Sequence, residues 1–315
     1  MEPSMEPSMR PFRFLAALSA ALCCLLSFPA HADLKVVASL PDLAALAKAV
    51  GGEHVQVTSL ALSTQDPHFV DAKPNLALDL NRADLLLSVG LELEIGWLPT
   101  LQNGARNPRI LSNGPGFLDV SQFVNKREVP VTPTDRSNGD VHPGGNPHYL
   151  YDPNMGLAVA KGIAERMISL DAKNAEAYRA NLAKFTDELQ KAIPGWEKRL
   201  AGLKGAPVAA YHRTTAYLSA WLGFDTFAYL EPKPGIPPTP AHVAEVLAQS
   251  RQRKARMLLR EEYYPASISK LVADKIPAPL VVLPGGTNFR GGQTYLQHIE
   301  DMVTRLETGL QGKGT

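Results

Sequence analysis

The sequence has almost no cysteine. The only two, Cys23 and Cys24, are adjacent and close to the N-terminus. They fall inside a segment that reads as an export leader, so the mature chain is expected to have none. An exported protein without disulfides must draw its stability from its core. Thiolate metal ligands are excluded as well, which leaves imidazole and carboxylate for any transition-metal site. Net charge is also scarce. Lys and Arg number 32 against 31 Asp and Glu, for a balance of +1. That argues against a nucleic-acid partner or an anionic membrane surface, both of which select a basic excess. No H-E-x-x-H occurs, so the common zinc-protease signature is missing. The longest apolar run, Phe14–Phe28, is about 15 residues, short of the ~20 that a membrane span needs.

That run follows Arg10 and Arg13 and precedes Ala30-His31-Ala32. Charged start, short apolar stretch and A-x-A together read as a cleavable secretory signal, with cleavage after Ala32. Leu22 stands before Cys23, where a lipid-anchored precursor would want a small residue. A soluble periplasmic protein is therefore expected, and it is not inserted in the membrane.

From Asp33 onward, short apolar runs alternate with segments of helical period. Leu34–Leu40, His54–Leu62, Asp84–Val89 and Ile110–Ser112 read as strands, with helices from Pro41 to Val50 and from Pro74 to Arg82. Pro130–Gly145, rich in Pro, Gly, Ser and Asp, reads as a mobile loop. Asp152-Pro153 reads as the start of a helix over 154–170, with Asp152 as N-cap and Pro153 in its first turn. Next, Tyr178, Leu182, Phe185, Leu189, Ile193, Trp196, Leu200 and Leu203 recur near the 3.6-residue period. They predict one long connecting helix of roughly 38 Å, bent near Pro194. Strands at Ala206–Tyr211, Phe224–Leu230, Ala255–Glu261 and Leu280–Leu283 then alternate with helices up to Leu306. The predicted fold class is α/β, with two lobes that each hold a mostly parallel sheet flanked by helices. The expected division is leader 1–32, first lobe 33–170, connecting helix 171–204 and second lobe 205–315.

Ligands of such sheets bind beyond the carboxyl ends of the strands. Three of the eight histidines lie at loops near such ends. His68 follows a strand in Asp66-Pro67-His68, His212 ends one in Tyr211-His212, and His148 sits between Pro147 and Pro153 ahead of a helix. Their shared setting points to one metal ion between the lobes. Three neutral imidazoles suit Zn²⁺ in a tetrahedron with one place left, whereas Mn²⁺ would want more oxygen ligands. Glu261 and Glu262, at the end of a strand, are candidates for the fourth ligand. Glu92 and Glu94 read as structural. His142 could pass metal inward, but reads more simply as a chance loop residue. His54, His242 and His298 read as solvated or hydrogen-bonded surface residues.

Four stretches carry a family resemblance. They are DPHFVDAKPNLALDLNRADLLLSVGLELEIGWL, NPHYLYDPNMGLAVAKGIAERMISLDAKNAEAYRANLAKFTDEL, YHRTTAYLSAWLGF and LPGGTNFRGGQTY. In this order the chain resembles the zinc- and manganese-binding periplasmic components of ABC importers, the ZnuA/TroA-like solute-binding proteins. The resemblance covers essentially the whole mature chain. It implies two lobes joined by one rigid helix, with metal between them held by His68, His148 and His212. Histidine at 212 is similar to the zinc-type members. Two departures stand out. The aspartate that the family commonly supplies from its last strand falls here on Leu283, so Glu261, Glu262 or water would complete the site. The histidine-rich loop of many zinc-type members is represented only by His142.

The resemblance implies a receptor, not an enzyme, which captures Zn²⁺ as transported ligand. It would pass the ion to an inner-membrane ABC permease driven by a cytoplasmic ATPase. A monomer is expected. The alternatives are a periplasmic zinc chaperone or a zinc-dependent hydrolase with an open coordination position, in which Glu262 would act as general base.

Overall fold

Leu34-Lys35-Val36-Val37-Ala38 forms β1, and all of it except Lys35 is buried. A near-continuous apolar strand is what a parallel sheet covered on both faces requires. In this computed structural model, which describes residues 33–132, 139 and 141–314, β1 is an inner strand of a four-stranded parallel sheet. Its neighbours are β2 (Val55–Ser59) and β3 (Leu85–Ser88), and β4 (Phe117–Asp119) lies beyond β3. The second sheet contains β5 (Pro207–Ala210), β6 (Asp225–Tyr229), β7 (Met257–Glu261) and β8 (Leu280–Leu283), again all parallel. The orders β2-β1-β3-β4 and β6-β5-β7-β8 are the same pattern repeated. The two-lobe α/β expectation is met.

The fourth strand of the first sheet is not where the sequence suggested. Ile110 ends a 3₁₀ turn, Pro108–Ile110, and Phe117–Asp119 supplies the strand. Asn107 caps that turn by accepting from Arg109 N, and local turn chemistry prevails over the apolar pair Ile110-Leu111.

Helices α1 (Pro41–Gly51), α2 (Pro74–Asn81), α3 (Leu98–Gly104) and α4 (Pro153–Leu170) accompany the first sheet. Helices α6 (Ala216–Leu222), α7 (Pro240–Gln252), α8 (Ala266–Ala273) and α9 (Tyr295–Leu310) accompany the second. Between the two sets runs α5, Ala175–Arg199, a single helix of 25 residues that continues through Pro194. It buries Tyr178, Phe185, Leu189 and Trp196 along one stripe, as the spacing predicted. That stripe packs against α4, α1 and α9. Asn181 Nδ2 donates to Val50 O (2.9 Å) at the end of α1. At the other end, Trp196 Nε1 donates to Glu300 (2.7 Å) and Arg199 Nε to Glu307 (2.9 Å), both on α9. The helix is thus tied to both sheets' layers.

One hydrophobic cluster extends from Leu34, Leu43 and Leu86 of the first lobe through Tyr217, Met257, Val281 and Leu306 of the second. A smaller cluster, which includes Leu230, Val246, Leu258 and Val272, fills the other face of the second sheet. Polar bonds cross between lobes as well. Tyr295 OH donates to Leu150 O (2.8 Å), and Thr287 N and Oγ1 both donate to Asp42 Oδ1 (2.8 and 2.5 Å). Because the lobes share a core, wide hinge opening would expose apolar area that the fold keeps dry.

Candidate metal centre

Each predicted histidine is fixed by its own local structure. After β2, Asp66 Oδ1 accepts from both the backbone N (3.0 Å) and the ring Nδ1 (2.7 Å) of His68. Trp97 Nε1 anchors the same turn by donating to Pro67 O (3.0 Å). Burial pushes the Asp66 carboxyl up, but the hydrogen bond and charge of His68 outweigh it and hold Asp66 below its usual range.

His148 leads into a 3₁₀ turn, Tyr149–Tyr151, and then α4. Asp152 caps α4 by accepting from Asn154 N (2.8 Å), with Pro153 in the first turn, as expected. Asn146 Oδ1 accepts from His148 N (2.9 Å), while Asn146 Nδ2 donates to Glu128 (2.9 Å) and to Arg213 O (2.8 Å) in the second lobe. The His148 Nε2 atom is buried with no hydrogen-bond partner. Burial first, and then the neighbouring imidazoles of His68, His212 and His142, hold His148 well below its ordinary pKa.

His212 follows β5 in extended conformation, and its Nδ1 meets Glu231 Oε2 at 2.6 Å. Glu231 stands just past β6, the neighbouring strand, so sheet order places the carboxylate beside the ring. Burial lowers the His212 pKa, with the Glu231 hydrogen bond opposing.

The three rings converge. Their centroids are 5.3 Å apart for His68–His148, 5.3 Å for His68–His212 and 5.4 Å for His148–His212. The ring planes lie at 59°, 72° and 88° to one another, so the rings do not stack. A ring bound through one nitrogen at roughly 2.0–2.1 Å has its centroid about 3.2 Å from the ion, which puts two such rings in a tetrahedron about 5.2 Å apart. The observed triangle has that size. For His68 and His212 a carboxylate engages Nδ1, and a carboxylate can only accept. In a neutral ring the other nitrogen, Nε2, then carries the lone pair, the usual way in which an outer partner orients a metal-binding imidazole.

The hydrogen bonds of the remaining candidates go to other groups. Glu262 is exposed, and its Oε1 accepts from Gly285 N (3.3 Å). Glu261 is 1% exposed and accepts from Thr214 Oγ1, while its Oε2 has no partner. Burial lifts its carboxyl to about 7. Leu283, in register with Glu261 at the end of β8, is fully buried and offers no donor. Glu94 is structural, as expected: Ser39 Oγ (2.6 Å), Val89 N (2.6 Å) and Gly90 N (3.1 Å) all donate to it. His54 is half-buried, and His242 Nε2 bonds Tyr229 O (3.0 Å). His298 is a correction. It is 2% exposed, with Nε2 3.7 Å from Asp42 Oδ1, so it belongs to the interior and not to the surface. The face of α9 on which it sits packs inward with Ile299, Met302 and Leu306.

His142, which the sequence placed in a loop, lies beside the rings of His68 and His148. Its Nε2 lies 3.3 Å from His68 Nε2 and its Nδ1 2.9 Å from Leu91 O. Nitrogens of His68, His142 and His148 all fall within 4.8 Å of one another. Beside these rings, a cavity of about 400 Å³ is lined by His142, His148, His212, Glu128, Arg213 and Glu231.

With this geometry established, the comparisons with known proteins identify the lineage. Residues 36–309 match the family described as ZnuA, zinc-uptake complex component A, periplasmic. The chain belongs to this family. The family is one of transport components and not of enzymes. The manganese ABC transporter substrate-binding lipoprotein PsaA of Streptococcus pneumoniae is 25% identical over 280 residues, 85% of each chain. The high-affinity zinc uptake system protein ZnuA of Paracoccus denitrificans is 27% identical over 232 residues, 63% of this chain and 67% of that protein. Among solved structures, a crystal structure of ZnuA superimposes with a TM-score of 0.74 at 20% identity, covering 88% of this chain and 99% of the other. A manganese-bound periplasmic metal-binding protein from Candidatus Liberibacter asiaticus gives 0.72 at 21%, with 88% and 99% covered. At these identities the structures speak for the fold.

Proposed function

We propose that this protein is the periplasmic receptor of a metal ABC importer and that its cargo is Zn²⁺, held between the lobes by His68, His148 and His212. The observation that carries the reading is the near-equilateral triangle of buried imidazoles with its carboxylate supports. The relatives' names include manganese and iron proteins besides zinc ones, so the choice of metal rests on the donor set. Among the described residues, the cluster of ligand-type atoms that lie within 4.8 Å of one another, from His68, His142 and His148, is made of imidazoles alone. Nitrogen donors in a small tetrahedron favour Zn²⁺ over Mn²⁺, which prefers oxygen and a larger shell.

The long helix and shared core support capture by small shifts of the loops that carry the ligands. The charged ion leaves water for a site whose ring orientations are already set, which cuts the ordering cost of binding. Delivery would run to an inner-membrane permease and its ATPase, the partners that the family's role requires. Export would be directed by the segment ending at Ala32, which lies outside the described residues, as does the Leu22-Cys23 pair that argues against a lipid anchor. No helix among the described residues is long and apolar enough to cross a membrane.

The test is competition titration of the purified protein with Zn²⁺ and Mn²⁺. Tight zinc binding that His148→Ala abolishes is the expected result. Preference for Mn²⁺, or full zinc affinity in His148→Ala, would overturn the reading.

A further inference from the structure

We propose that His142 is the fourth ligand of the metal, an imidazole from the loop that supplies the donor which Leu283 cannot. This inference rests on the interlobe metal site proposed above and adds a residue to it.

Two ring nitrogens, one from His68 and one from His142, face each other across the site. Asp66 Oδ1 is an acceptor, so His68 Nδ1 donates to it and the neutral ring leaves Nε2 with a lone pair. Leu91 O is an acceptor too, so His142 Nδ1 donates to it and leaves His142 Nε2 in the same state. These two Nε2 atoms lie 3.3 Å apart. With both rings in these tautomers, two lone pairs face each other, an arrangement that a cation between them turns from repulsive to favourable. Two nitrogens on one tetrahedral Zn²⁺, each at roughly 2.0–2.1 Å, are separated by about 3.3–3.4 Å. The spacing matches one edge of a zinc coordination tetrahedron.

The loop is built to hold the ring there. Gly145 N donates to His142 O (3.0 Å) and closes a turn through Pro143 and Gly144. Gly145 adopts φ +112°, which disfavours any side chain. The next amide, Asn146 N, donates to Arg127 O (2.8 Å), and two residues on stands His148. On the opposite side, Leu91 and Glu92 have φ of 53° and 64°, a conformation that costs a residue with a Cβ and that turns up at binding sites. Its effect here is to present Leu91 O to His142.

His142 differs from the other three in exposure. It is half-buried and lines the cavity, whereas His68, His148 and His212 are each under 9% exposed. It is the outermost donor, so the ion passes it on entering and leaving. A site of three buried imidazoles and one half-exposed one binds tightly and releases by losing His142 first.

The experiment measures Zn²⁺ affinity by chelator competition and Zn²⁺ release by stopped-flow transfer to a chelator in excess. The proteins are wild type, His142→Ala, His142→Asp, His148→Ala and the control His54→Ala, with metal-free melting temperatures to verify folding. We expect His142→Ala to weaken binding on the order of 10–100-fold, less than the loss of a buried ring, because water can replace a half-exposed ligand in the fourth position. Release should quicken by a similar factor. His142→Asp, which restores a donor, should recover part of both, and His54→Ala should match wild type. X-ray absorption of the zinc-loaded protein should lose one imidazole in His142→Ala. Wild-type affinity, release and imidazole count in His142→Ala, while His148→Ala loses binding, would overturn the role of His142 and leave the three-histidine site standing. Unaltered binding in both variants would remove the site itself.

Discussion

The two lobes are built on the same strand order, and each places a buried glutamate just beyond or at the end of its third strand. Glu94 follows β3 and Glu261 ends β7. Each accepts from a hydroxyl that follows the first strand of its own sheet, Ser39 in one lobe and Thr214 in the other. Burial lifts both carboxyls to about 7. The difference lies in the rest of the shell. Glu94 takes two further bonds from Val89 N and Gly90 N, so it is a fastener for the loop after β3. Glu261 has an oxygen with no partner. Position in the fold is repeated, but chemical use is not. The converging histidines show the same lesson. The first lobe supports its histidine with a carboxylate two residues away, Asp66, and the second with one borrowed from the adjacent strand, Glu231.

The sharpest break of this comparison is to remove a ring. His68→Ala, His148→Ala and His212→Ala should each weaken Zn²⁺ binding by at least about 100-fold, beyond the range for an outer partner. Calorimetric competition would check this, and a lobe whose histidine can be deleted freely is not part of the site. Next come the two supports. Asp66→Asn and Glu231→Gln should each cost on the order of 10–100-fold in affinity. Unequal losses would show which lobe holds the ion harder.

The glutamates come next. Each has a carboxyl near 7 in the fold against 4.5 in the unfolded chain. Between those values the fold holds a proton that the unfolded chain releases, so each group's cost to stability grows as pH rises from 4.5 and is complete above 7. Glu261→Gln removes that cost and leaves no strong bond unmade. Its stability relative to wild type should rise with pH and reach about 3 kcal/mol above pH 7, on the order that this difference in pKa implies. Denaturant melts at pH 5 and 8 would measure it. Glu94→Gln turns an amide donor toward a backbone N–H and should cost about 1–3 kcal/mol at pH 5, where the ionisation gain is small. Equal behaviour of the two variants would erase the distinction between the two glutamates. The smallest effect is expected at the half-exposed clamp between α5 and α9, where Arg199→Ala should cost about 1 kcal/mol or less.

The sequence made the strand ends and the three principal histidines legible because each carries local punctuation. Asp66-Pro67 and Asp152-Pro153 are turn and cap signals, and Tyr211-His212 closes an apolar run. The long helix was legible through its buried stripe, and Pro194 did not divide it. His142 was not legible. Its loop is rich in turn residues, and only folding brings it to His68, 74 positions away. His298 was misread because its polar neighbours on α9 conceal an inward face that Asp42, from the other lobe, completes. The glutamates at 261 and 262 could not be separated by alternation, because all five residues of β7 are buried. The short strand Phe117–Asp119 has too few residues to show a period.

The most direct measurement is an anomalous-difference map at the zinc edge from crystals of the zinc-loaded protein. The account predicts one strong peak between the lobes, about 2.0–2.1 Å from nitrogens of His68, His148 and His212 together. A peak bound by histidines of one lobe alone, or seated on carboxylates away from the three rings, would contradict it.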